Sequence, residues 1–69
     1  MARATLGNHL KSMRVQAGLT QAELAERVGV SRKTVNTVEN GVFTPSATLA
    51  LQLARALGVP VEALFFLQE

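Results

Sequence analysis

Sixty-nine residues, 48% of them apolar and 17% charged with a formal net charge of +2, suffice for one hydrophobic core and leave no room for a separate sensor domain. The absence of cysteine excludes a disulfide framework, a thiolate zinc site and thiol catalysis, and makes a reducing cytoplasm the expected home. No stretch approaches the roughly twenty apolar residues of a membrane span, and the opening MARATLGNHLKSMR lacks a signal-peptide core.

The expected fold class is all-α, a compact bundle of five short helices in a single domain over residues 1–69. Gly18, Gly29, Gly41 and Gly58 each follow a stretch of helical apolar spacing, where a left-handed cap is wanted. The first helix is expected over Leu6–Ala17, with Leu6, Leu10, Met13 and Ala17 as its inward stripe. Thr20 and Glu23 have the spacing of a capping box and open a second helix over Gln21–Val28, which turns Leu24, Ala25 and Val28 inward. Ser31 is the expected cap of a third helix, held by Val35 and Val38 and closed at Asn40-Gly41. The fourth, from Ser46 to Leu57, has Thr48, Gln52 and Arg55 as its only polar ridge and is expected to be buried on several sides. Gly58-Val59-Pro60 breaks it, and Pro60 suits the start of a short fifth helix over Val61–Phe65.

Two short capped helices joined by a glycine turn, with small Ala25 at their expected crossing and a polar face on the second, have the geometry of a helix-turn-helix over residues 20–40. The positive charge is local. Residues 1–40 carry Arg3, Lys11, Arg14, Arg27, Arg32 and Lys33 against Glu23, Glu26 and Glu39, the kind of patch that phosphate binding requires. Catalysis has no support: Asp is absent, and there is no nucleophile–base set, paired carboxylate motif or phosphate-cradling loop. Lone His9 has no second metal-ligating side chain beside it, so neither a metal nor a cofactor is expected.

The run from Thr20 to Glu26, then Val28-Gly29-Val30-Ser31-Arg32, then Val35, Val38 and Glu39-Asn40-Gly41, resembles the Cro/phage-repressor family of XRE-type helix-turn-helix regulators. Pro45-Ser46 through Leu49, Leu53, Ala54, Leu57 and Leu64-Phe65 resembles the last two helices of its smallest members. The resemblance implies a lambda-repressor-like fold and binding to a double-stranded DNA operator, with Ser31, Arg32, Lys33, Asn36 and Thr37 entering the major groove. Arg32 and Lys33 could donate to guanine O6 and N7, Asn36 could grip adenine, and Thr37 could offer its methyl to thymine. It also implies that Thr20, Gln21, Asn40 and Gly41 meet phosphates, the main-chain donors of Gly41 and Val42 among them, and that Arg14 and Glu39 form a structural ion pair. Many relatives are strongly basic after the third helix, whereas Val42-Phe43-Thr44 is uncharged.

Leu64, Phe65, Phe66 and Leu67 form an apolar cluster that could plug the core or form an association patch; a short helix cannot bury all of it against its own domain, so residues 58–69 are expected to form a homodimer seam. The family adds the expectation of a short strand there, pairing across the two-fold axis. A bacterial homodimeric repressor follows as the expectation. Two alternatives stay open: a component of a toxin–antitoxin or restriction system with a second protein partner, and an interaction module that has lost DNA binding.

Overall fold

The computed structural model describes residues 4–69, so Arg3, counted among the N-terminal cations, lies outside it. The described chain runs β1 (Thr5–Asn8), α1 (Leu10–Gln16), α2 (Gln21–Val28), α3 (Arg32–Glu39), α4 (Ala47–Leu57), α5 (Val61–Leu64) and β2 (Phe65–Gln68). None of the described helices is long and apolar enough to cross a membrane.

The five helices are present, with one correction to the first. It begins at Leu10, and the preceding residues form a strand that pairs antiparallel with β2, Thr5 opposite Gln68 and Asn8 opposite Phe65. The strand expected at the C-terminus therefore exists but finds its partner within the same chain. Gly7 explains much of this, since a Cβ there would collide with the ring of Phe66, its cross-strand partner. Only a residue without a side chain lets that ring lie across the ribbon, where it also meets His9 with centroids 4.6 Å apart. Asn8 then starts α1. Its Oδ1 accepts from the Leu10 amide at 3.0 Å while its Nδ2 donates to the Val38 carbonyl at 3.0 Å, joining the ribbon to the end of α3.

Leu10, Leu24, Val35, Val38, Leu53 and Leu64 are the largest fully buried side chains, and Ala25, Leu49, Ala54 and Phe65 complete the core. Burying each large aliphatic group stabilises the fold by roughly 1.5–3 kcal/mol. Leu6 packs against this core as anticipated, but from a strand, whereas Ala17 caps α1 and is exposed. The fourth helix is less enclosed than its composition suggests, because Leu51 is 58% exposed.

The seam residues also need correction. Leu64 is 0% and Phe65 9% exposed, both within the chain's own core. Phe66 is half-buried over Gly7, and only Leu67 is largely exposed. The helical core takes in Leu64 and Phe65, and pairing with β1 places Phe66 over Gly7, so little of the cluster is left in water.

The α2 entrance has the expected capping box: Thr20 Oγ1 accepts from the Glu23 amide at 3.1 Å, and Glu23 Oε1 accepts from the Thr20 amide at 2.8 Å. These bonds hold the Glu23 carboxyl below its ordinary pKa. A lowered carboxyl pKa adds stability above the unfolded-state value that is lost as pH falls through the folded one. Thr20→Ala should cost about 1 kcal/mol near neutral pH, read from the urea midpoint, with a smaller loss in acid once Glu23 is protonated. An unchanged midpoint at neutral pH would contradict this role for the box.

Candidate nucleic-acid interface

Gly29 makes the turn between α2 and α3. At φ 74° it sits in the left-handed region that glycine adopts without strain, and the Val30 amide closes the turn onto the Ala25 carbonyl at 3.0 Å. Buried Ala25, Val35 and Val38 hold the two helices together and leave the other side of α3 to solvent.

A buried polar cluster fixes the far end of α3. Arg14 Nε donates to Glu39 Oε2 at 2.6 Å, with side chains 10% and 2% exposed. A second Arg14 nitrogen reaches Glu39 Oε1 at 3.2 Å and a third donates to the Leu19 carbonyl at 2.8 Å. Gln21 Nε2 adds a bond to Glu39 Oε1 at 3.0 Å. Hydrogen bonding to Glu39 raises the Arg14 pKa above its ordinary value. The only acidic residue of α3 is thereby covered and neutralised, so its charge does not oppose an approaching phosphate.

On the open face, Arg32 and Lys33 are exposed in the first turn of α3, and neither is ion-paired among the described residues. Asn36 is half-buried, and its Oδ1 accepts from Asn40 Nδ2 at 3.1 Å, so the expected base reader and the expected phosphate contact touch each other. Thr37 turns its hydroxyl back to the Thr34 carbonyl at 3.0 Å. Ser31 caps α3 through the Thr34 amide at 3.1 Å and lies 2.9 Å from the Thr34 hydroxyl, which leaves it little to offer a base. At the mouth of α2, Gln21 is partly committed to Glu39, and the amides of Gln21 and Ala22 have no acceptor within the helix.

The loop after α3 differs from expectation. The Gly41 amide donates to the Val38 carbonyl at 3.1 Å, and those of Val42 and Phe43 donate to the Thr37 carbonyl at 2.9 and 3.2 Å. These donors close the end of the helix and are not free for phosphate, so the main-chain contacts expected from Gly41 and Val42 are not available. The sequence reading also missed Thr34, the second hydroxyl of the α3 cap, and Asn8, whose polar side chain beside Gly7 was the available sign of a helix boundary.

Two capped helices across a left-handed glycine, the second presenting exposed cations, define a helix-turn-helix protein. A family model described as Helix-turn-helix matches residues 10–64. An HTH-type transcriptional regulator of Methanothermobacter thermautotrophicus is 49% identical over 61 residues, covering 87% of this chain and 88% of that one. The regulator YgzD of Bacillus subtilis is 40% identical over 62 residues, covering 90% and 94%. Among solved structures, the restriction-modification controller protein C.AhdI from Aeromonas hydrophila matches with a TM-score of 0.75 and 35% identity, covering 78% of this chain and 82% of that one. The chain belongs to the XRE-type helix-turn-helix family of DNA-binding transcriptional regulators.

Proposed function

We propose that the protein binds a pseudo-palindromic operator as a homodimer and represses transcription by occupying it. Each α3 enters one of two major grooves about 34–36 Å apart. Arg32, Lys33, Asn36 and Thr37 meet base edges, with Ser31 at the margin, while Thr20, Gln21 and Asn40 set the register on phosphates. The observation that carries this reading is the pair Arg32–Lys33, exposed and unpaired at the start of α3, with the one carboxylate of that helix already neutralised by Arg14.

Dimerisation draws support from Leu51 and Leu67, 58% and 70% exposed, and from a two-stranded ribbon that is marginal in isolation. The likeness to C.AhdI favours a second reading, that of a controller component beside a partner enzyme. Selection from a random duplex library tests the binding mode. A two-fold motif bound at least ~10³-fold tighter than scrambled duplex at fixed salt is the expected result. Absence of any enriched motif would favour an interaction module, and sedimentation as a monomer on the selected duplex would defeat the dimer.

A further inference from the structure

Beside α3 lies an open cleft of ≈ 340 Å³ lined by Ser31, Lys33, Thr34, Thr37, Val42 and Phe43. Two of these residues have no evident structural purpose. Val42 is 78% and Phe43 48% exposed, and neither is among the apolar side chains packed against the core. The loop fixes their backbone, since both amides are bonded to the Thr37 carbonyl.

We propose that Val42 and Phe43, together with Thr37, form a wall that receives the C5 methyl group of a thymine beside the bases read by α3. The proposal rests on the DNA-binding reading above. Lys33 and Thr37 belong both to the cleft and to the expected base-reading face, so whatever fills the cleft must be compatible with DNA on that face. The segment Val42-Phe43-Thr44 carries no charge, and the amides of residues 41–43 are engaged within the chain. Apolar surface is the main thing it can present to a duplex. The Thr37 hydroxyl is tied to the Thr34 carbonyl, which leaves its methyl as the uncommitted part of that side chain. Among major-groove base edges the thymine methyl is the one apolar group, and threonine methyls and phenylalanine are suited to meet it.

The experiment uses the full chain and the operator from the library selection. Each thymine in a half-site is replaced in turn by deoxyuridine, which removes only the methyl group. One position should bind about fourfold more weakly per half-site, the worth of burying one methyl group. The salt dependence of binding should stay unchanged, because no phosphate contact is lost. Phe43→Ala should weaken the thymine operator several-fold and abolish the penalty at that position alone, whereas Phe43→Leu, which keeps an apolar wall, should retain much of it. Val42→Ser provides a second test at a more exposed position, and circular dichroism establishes that each variant is folded. Equal binding of the parent to thymine and uracil at every position would overturn the proposal. So would a Phe43→Ala protein that keeps the full penalty, as expected if Phe43 serves a second copy or a protein partner. Failure to select any operator would instead defeat the DNA-binding reading itself.

Discussion

Glu39→Ala should lower the unfolding free energy by about 3–5 kcal/mol, because it strands a buried guanidinium. Arg14 has a side chain only 10% exposed, and without Glu39 it would keep just its bond to the Leu19 carbonyl. Gln21 would lose its recorded partner in the same step. A domain of 69 residues has a total stability of roughly 3–10 kcal/mol, so the variant should lose a large share of it and unfold at a much lower urea concentration. The double replacement Arg14→Met, Glu39→Leu removes both charges and should be more stable than either single variant, since well-packed apolar groups often replace a buried pair with little loss. Urea titration distinguishes these outcomes. A Glu39→Ala midpoint matching the parent would show that the cluster contributes no net stability. Little of the effect should vary with pH near neutrality. Arg14 is the group raised in the folded state, so its contribution is complete below the unfolded guanidinium pKa, far above neutrality, and is lost only as pH rises through the folded one.

The second large effect falls on binding. Arg32→Ala should cost about 1–3 kcal/mol per half-site and relax preference at one base pair, while the denaturation midpoint hardly moves because the side chain is exposed at the first position of α3. Arg32→Lys should recover charge without the two-pronged geometry that matches guanine, and hence affinity more than specificity. Gln21→Ala should behave differently, weakening all sequences alike and lowering stability as well, since Gln21 is bonded to Glu39. Titrations against the selected operator and its single-base variants separate these patterns. Uniform weakening by Arg32→Ala would reassign Arg32 to the backbone.

The helix-turn-helix was legible because its signals are local. Thr20 with Glu23, Gly29 and Ser31 each specify a cap through residues at most three positions apart. The ribbon was not legible for the opposite reason. Leu6, Leu10 and Met13 have helical spacing, and the partner that draws Leu6 into a strand is Leu67, at the other end of the chain. Gly7 and Asn8 are the local evidence against helix there, and the apolar period runs straight across them. In the site, side-chain chemistry exposed the cations of α3, but the engagement of the amides at 41–43 depends on how the backbone folds over Thr37 and leaves no mark in composition. The same limit applies to Leu64 and Phe65, whose burial depends on the core that distant helices build around them.

Because Thr5 lies opposite Gln68, the described chain enters and leaves through the same ribbon. The protein is topologically close to a closed ring with a single doorway. A short linker could join Thr5 to Gln68 across the ribbon. For the same reason a module fused at either end would be tethered at one place. The doorway is not mechanically isolated from α3, since Asn8 links β1 to the Val38 carbonyl, so a load on the tether has a direct route to the C-terminal end of that helix.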